Sequence, residues 1–161
     1  MNAITMLKRQ HREVEALFKQ LDKAKSAGSR RKTFEKIADA LAVHATIEER
    51  HFYPGVKAKN TEELLQESVE EHLEIKRAIA DLLELAGDDQ SFAAKVKVLQ
   101  EDVEHHVEEE ETELFPKVEK MVDDETLQAI AEAMQETQAQ LIEAGNPREA
   151  VPQETEKAAP I

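Results

Sequence analysis

Histidine and glutamate recur at matching positions in the two halves of this 161-residue chain. His44 is followed four residues later by Glu48, and His106 is followed in the same way by Glu110 in the second half. A proline comes six residues after each glutamate. Because residues four apart lie on one face of an α-helix, each pair projects an imidazole and a carboxylate in the same direction. Together these groups can bind a transition metal.

Two further histidines belong to the same repeat. His11 and His72 are related by nearly the same offset along the chain, and each lies one helix before a His-x-x-x-Glu pair. All six side chains occupy slots where the helical spacing of apolar residues requires a core-facing group. Burying two carboxylates is costly unless they are paired or bind a metal. Imidazole with carboxylate suits Fe, Zn, Mn or Ni, so the sequence predicts a two-metal site with six ligands: His11, His44, Glu48, His72, His106 and Glu110.

Each part of this pattern also has an ordinary explanation. A single His-x-x-x-Glu in a chain rich in glutamate can arise by chance, and a lone histidine on an apolar stripe is often a hydrogen-bonded core residue. A purely structural bundle without metal is therefore an alternative, but it would have to explain six buried polar residues. The repetition of the whole pattern favours the metal site.

Two residues beside the six have open roles. His51 lies one turn after Glu48, so it is an extra ligand, a proton donor to a bound small molecule, or a histidine at the bundle end that is partly in water. Tyr53 lies off the apolar stripe, although Pro54 could turn it inward. It would then be a phenol ligand or a radical quencher, and aromatic packing is the favoured alternative.

The sequence also predicts the orientation of other charged residues near the six. His105 must point away from the core because its neighbour His106 points inward. Lys76 occupies a core-facing slot, where it could pair with Glu113 or with one of the two candidate ligand glutamates, or extend its ammonium group to water. The glutamates assigned to a solvated face are Glu49, Glu109 and Glu111.

The spacing of apolar residues predicts an all-α protein. Four long helices are expected over residues 3–27, 30–53, 61–86 and 92–115. Short turns join them, which favours an up-down-up-down four-helix bundle. The bundle would comprise residues 1–122, an additional C-terminal helix would lie in 123–144 and pack outside it, and residues 145–161 would form a disordered tail.

Composition narrows the function. The net charge of −14 argues against nucleic-acid binding, which needs clustered Lys and Arg, and against docking on anionic membranes. Cysteine is absent, which excludes disulfides, thiol catalysis and iron–sulfur clusters. Neither a signal peptide nor a membrane-spanning run is recognisable, so we expect a cytoplasmic protein.

The motifs resemble those of the hemerythrin-like family, also called the HHE cation-binding domain. The resemblance covers about residues 1–120 and is carried by the stretches around His11, by His44-Ala-Thr-Ile-Glu48, by the segment at His72, and by His106-Val-Glu-Glu-Glu110. It implies a four-helix bundle with two iron ions, with the histidines as terminal ligands, the two glutamates as bridges, and an oxo or hydroxo group completing the bridge.

The resemblance also implies a function. Oxygen-carrying hemerythrins have a second histidine at the slot that holds Lys76 here, and the symmetric pattern is similar to a bacterial subgroup linked to oxidative or nitrosative stress and iron handling. The expected partners are O2, H2O2 or NO, acting on a monomer or weak homodimer. Catalase-like or NO-directed catalysis is one alternative, and a non-catalytic oxygen- or iron-binding or sensing module is the other.

Overall fold

The computed structural model describes residues 1–161 and contains helices but no strand. The α-helices are α1 (Ala3–Lys23), α2 (Ala27–Ile47), α3 (Tyr53–Gly55), α4 (Glu62–Leu83), α5 (Phe92–Glu109), α6 (Phe115–Met121) and α7 (Asp124–Glu143). Two helical hairpins, α1–α2 and α4–α5, pack side by side. The predicted all-α four-helix bundle with an additional C-terminal helix is confirmed.

The hairpin between α1 and α2 is tighter than the sequence suggested. We expected the first helix to reach residue 27, but it ends at Lys23 because Ser26 caps the next helix. The Ser26 hydroxyl accepts a hydrogen bond from the Ser29 backbone N–H, and the Ser29 hydroxyl accepts one from the Ser26 backbone N–H. Such a capping box satisfies N–H groups that a helix start leaves unpaired. It fixes where α2 begins.

Each His-x-x-x-Glu pair is followed by one π-helical turn, π1 (Glu48–Phe52) and π2 (Glu110–Leu114). In these turns the Tyr53 N–H donates to the Glu48 carbonyl, and the Phe115 N–H donates to the Glu110 carbonyl. The wider turn carries the chain into α3 and α6. Proline lies in the first turn of each of these helices, where the N–H group that it lacks would have no partner within the helix. The second predicted helix, over residues 30–53, is thus interrupted by π1 after Ile47 and continues through Pro54 to Gly55.

The core consists of two apolar clusters. The first surrounds α3, α6 and the inner face of α7, and includes Phe52, Phe115 and Met134. The second fills the opposite half of the bundle and includes Phe34 and Phe92. The predicted ligands belong to neither cluster, so polar residues interrupt the apolar core between its two halves.

The C-terminal part of the chain packs on the bundle. Helix α7 lies against α1, α2 and π1, outside the four-helix arrangement as expected. The predicted disordered tail is wrong, because residues Pro147–Glu154 form a 3₁₀-helix that contacts α2 and α4. Val151 inserts into the second apolar cluster, and Arg148 donates to both carboxylate oxygens of Asp39. One apolar anchor with polar links orders a segment whose composition suggested disorder.

No helix is both long enough and apolar enough to cross a membrane.

Candidate metal centre

The six predicted ligand side chains converge at the boundary between the two apolar clusters, and all six are buried. Their nitrogen and oxygen atoms fall into two sets, within each of which the atoms lie no more than 4.8 Å apart. Each set draws on three different helical segments, so it exists only in the folded bundle. The sets are His11, His44 and Glu110, and Glu48, His72 and His106.

The carboxylates lie between the two sets. The Glu48 Oε1 atom is 3.0 Å from the Nε2 of His44 and 3.2 Å from the Nε2 of His72. The Glu110 Oε1 atom is 3.1 Å from the Nε2 of His11 and 3.5 Å from the Nε2 of His106. Each glutamate therefore faces histidines of both sets. All four imidazoles direct Nε2, and not Nδ1, toward Glu48 or Glu110.

The Nδ1 atom of each of these four histidines has a separate partner outside the centre. These partners fix the orientation of the ring, and a proton placed on Nδ1 leaves the Nε2 lone pair free for a metal. The pairs, with Nδ1 to oxygen distances, are His11–Glu111 (2.6 Å), His44–Gln10 (2.7 Å), His72–Glu49 (2.7 Å) and His106–Glu71 (2.8 Å).

Sequence reasoning missed these partners, although the repeat contains them. Glu49 and Glu111 each directly follow one of the two candidate ligand glutamates, and Gln10 and Glu71 each directly precede a repeated histidine. Each pair is therefore related by the same offset as its neighbours in the repeat. Assigning Glu49 and Glu111 to a solvated face was wrong. Their long side chains reach across to a histidine of another helix.

Tyr53 is fully buried and lies at the centre. Its hydroxyl donates to Glu110 Oε2 at 2.8 Å, and the hydroxyl oxygen is 3.2 Å from His72 Nε2. Burial, followed by the charges of Glu110 and Glu48, raises the pKa of the phenol well above its ordinary value. The π-turn explains the placement, because its hydrogen bond joins residues five apart and brings Tyr53 above Glu48.

Comparison with known proteins identifies the family. The model of the hemerythrin HHE cation binding domain matches residues 2–118. The chain belongs to this family. The fold of this hemerythrin-family protein is similar to that of a hemerythrin HHE cation binding domain-containing protein from Mycobacterium kansasii, whose crystal structure matches with a TM-score of 0.80 and 20% identity over 96% of this chain and 99% of that one.

A second comparison involves a longer protein. A DNA nickase from Nostoc sp. is 30% identical over 115 residues, which are 71% of the hemerythrin-family chain and 33% of the nickase. The chain thus spans about a third of that relative's length.

The buried polar atoms of the centre indicate that it accommodates a cation. His44 Nε2 and both carboxylate oxygens of Glu48 are buried and make no hydrogen bond, although Glu48 Oε1 lies 3.0 Å from His44 Nε2 and 3.2 Å from His72 Nε2. Buried polar atoms are almost always satisfied in folded proteins, so three orphans in one place require an explanation. A cation would satisfy all three at once, and the imidazole and carboxylate donors are those of transition-metal sites. The residues present therefore fit the family's cation.

Protons take part of this role when no metal is bound. Burial alone would lower the pKa of His106, but the charge of Glu110, the nearby carboxylate of Glu48 and a hydrogen bond to Glu71 outweigh it and raise the pKa well above the ordinary value of 6.5. Burial would raise the pKa of Glu48, but His44 and the neighbouring groups hold it well below 4.5. Because histidines and carboxylates bind a metal only when they are deprotonated, metal ions and protons compete for the site.

Three further residues had roles predicted from the sequence. His105 faces outward with 69% of its side chain exposed, as predicted. His51 belongs to neither set, and its Nε2 lies 2.6 Å from the Thr137 hydroxyl of α7. Lys76 is 7% exposed and pairs with neither Glu113 nor the two glutamates of the centre. It donates instead to Glu49 at 3.0 Å and to Glu154 at 3.2 Å.

A cavity of about 30 Å³ adjoins the four histidines of the centre. Glu48, Glu110 and Tyr53 are absent from its lining, and most of its apolar wall belongs to the second core cluster. One water-sized sphere needs roughly 10–15 Å³, so a molecule of two or three atoms fits such a space. The apolar wall residues include Val14, Leu41, Ile75, Ile79, Val103 and Val151.

Proposed function

We propose that the hemerythrin-family protein holds two iron ions, with His11, His44 and Glu110 at one position and Glu48, His72 and His106 at the other. Three buried atoms of His44 and Glu48 that make no hydrogen bond carry this proposal. The position of each carboxylate between the sets suits Glu48 and Glu110 to bridging. Iron accepts both imidazole and carboxylate.

We further propose that the centre binds or reacts with O2, H2O2 or NO, in oxidative or nitrosative stress or in iron handling. Six protein ligands leave open coordination positions on two iron ions, and iron supplies the redox chemistry. The cavity beside the histidines supports this assignment, because its volume of about 30 Å³ suits such molecules and its wall is largely apolar.

The chain's own residues have separate tasks in this proposal. The outer partners Glu49 and Glu71 orient His72 and His106 and would make their Nε2 atoms stronger metal ligands. The Tyr53 hydroxyl holds Glu110 and keeps one proton beside both metal positions. The apolar wall of the cavity would keep bulk water away from the side of the centre that faces the cavity.

Metal analysis with a visible spectrum tests the iron assignment. The purified protein should contain about two iron ions per chain and absorb in the visible range, as ferric ions with these ligands do. Both properties should disappear in a His44→Ala, His106→Ala double variant and persist in His105→Ala, which removes an exposed histidine adjacent to the site. Another metal at full occupancy, or unchanged iron in the double variant, would refute the assignment.

Catalysis and simple binding are separated by adding peroxide, oxygen or nitric oxide to the iron-loaded protein. Turnover of peroxide or nitric oxide above that of free iron would identify an enzyme. A spectral change that reverses when the gas is removed would instead identify a non-catalytic binding or sensing module, which is the second candidate. The same cavity serves either function.

We also infer that the protein acts without nucleic acid, in spite of the relative named as a DNA nickase. Two thirds of that relative lie outside the matched region, and the net charge of −14 opposes phosphate binding. Incubation with supercoiled plasmid tests this inference, because any metal-dependent nicking would overturn it.

A further inference from the structure

The proposed function leaves the C-terminal 3₁₀-helix without a role. We propose that this helix, Pro147–Glu154, is a detachable wall of the cavity, and that it determines which molecules reach the metal centre. This inference rests on the proposed function, since it concerns access to the same site. Two of its residues, Val151 and Glu154, line the cavity that adjoins the histidines of the centre.

Val151 supplies the apolar part of this wall. It is 2% exposed and packs in the same cluster as Val14, Ile75 and Val103, all of which line the cavity. It is also the one buried residue of the 3₁₀-helix. Val151 is therefore the one apolar side chain that this segment contributes to the cavity wall. Because only one such side chain is buried, little apolar surface would be exposed if the segment moved away.

Lys76 connects the wall to the metal centre. Its ammonium group bridges Glu154 on the wall and Glu49 next to the centre, and Glu49 in turn accepts from the Nδ1 of His72. Glu154 is the most exposed member of this chain of contacts. The position of the wall is thus linked by three consecutive polar contacts to one predicted ligand.

Polar contacts hold the rest of the segment. The Arg148 backbone N–H and guanidinium donate to Asp39 of α2 at 2.9 Å each. At the other end the Arg77 guanidinium of α4 donates to the carbonyls of Thr155 and Glu156. The segment therefore spans the groove between α2 and α4. Partly exposed polar links of this kind are individually weak, so the wall can open while the bundle stays folded.

Two full-length variants change the wall without touching a predicted ligand. Arg148→Ala loosens its attachment, and Val151→Ala widens the gap it covers. Val118→Ala is the matched control, because Val118 is a fully buried valine of the first cluster and does not line the cavity. The probes are azide, a three-atom ligand of ferric iron, and a bulky ferrous chelator added after reduction.

If the 3₁₀-helix is such a wall, both probes should reach the metal faster in the two wall variants. For Arg148→Ala we expect roughly a fivefold rise in the azide association rate, because the variant loses one partly exposed ion pair with Asp39. Iron removal by the bulky chelator should accelerate more than azide binding in both variants, because the larger molecule needs the wider opening. Val118→Ala should leave both rates unchanged. Unchanged azide and chelator rates in the wall variants would overturn the proposal.

A metal-free measurement separates this inference from the iron assignment. Amide hydrogen exchange of the metal-free protein should be faster across residues 148–156 in Arg148→Ala, with α1, α2, α4 and α5 unchanged. If the protein binds no iron, the proposed function fails while this measurement still reports on the wall. If exchange accelerates throughout the bundle, the segment is an integral part of the core and the idea of a detachable wall is wrong.

Discussion

Replacing Tyr53 by phenylalanine removes a single oxygen atom from the centre. The hydroxyl donates to Glu110 Oε2 at 2.8 Å, and donor and acceptor are both buried. The ring itself should stay in place, because Phe115 occupies the equivalent position in the second half of the chain and packs parallel to His11 with a centroid distance of 6.0 Å. The substitution therefore tests one hydrogen bond with little change in packing.

The expected cost follows from the charge of the acceptor. A hydrogen bond to a charged group contributes about 1.5–3 kcal/mol, and a buried carboxylate that loses a donor has no water to replace it. Metal-free Tyr53→Phe should therefore lose about 1.5–3 kcal/mol of unfolding free energy. For comparison, Thr33→Val removes a hydroxyl that donates to the uncharged Ser29 carbonyl and should cost only about 0.5–1.5 kcal/mol.

Urea denaturation of the metal-free protein, followed by circular dichroism, measures both costs. A double-mutant cycle with Glu110→Gln isolates the pair, because the Tyr53 effect should shrink once the carboxylate charge is gone. A loss below about 0.5 kcal/mol, or one that is equally large in the Glu110→Gln background, would refute the reasoning. The hydroxyl would then be a spectator of the carboxylate.

Further predictions concern pH, the outer shell and the backbone. Three histidines of the centre, among them His106, have a raised pKa, so they stabilise the metal-free protein below pH 6.5 and lose this contribution as pH rises through the folded-state values. Glu48, whose pKa is depressed, contributes above pH 4.5 and loses its contribution in stronger acid. Thermal unfolding of the metal-free protein should therefore show a stability maximum between these limits, whereas metal affinity, measured by titration, should rise with pH. Glu71→Gln should weaken metal binding by about 10–100-fold in the same titration. Gly87→Ala should lower the melting temperature, because its Cβ would lie 2.1 Å from a carbonyl oxygen of α2, whereas Gly28→Ala has free space and should add up to about 1 kcal/mol of stability.

The six candidate ligands could be predicted from sequence because two independent regularities coincide in them. The spacing of apolar residues assigns His44 and Glu48 to an inward face, and the repeat between the two halves assigns His106 and Glu110 to an equivalent one. Neither regularity depends on helix ends or on loop conformation. The structure places the six together for the same reason, since facing helices of a bundle bring inward positions of equal depth into contact.

The parts that sequence reasoning missed depend on departures from ideal helices. On a regular helix Tyr53 lies off the core face, and only the π-turn brings its hydroxyl to Glu110. Glu49 and Glu111 lie beside inward positions and reach the centre through side-chain length rather than helix phase. The ordering of the C-terminal segment depends on one valine, Val151, and on long-range polar contacts that local composition does not encode.

The two proposed metal positions are not equivalent, although the repeat relates them. Glu111 and Glu49 correspond, but Gln10 beside His44 is neutral where its counterpart Glu71 beside His106 carries a charge. The neighbouring cations are alike in number, since Arg12 contacts Glu111 and Lys76 contacts Glu49. Among the four residues that hold the Nδ1 atoms, those of the second set therefore carry one more negative charge, which raises the basicity of His106 and favours a cation at that position. In a metal titration, Glu71→Gln should therefore weaken one of two binding steps, whereas Gln10→Glu should strengthen the other and bring the two affinities together.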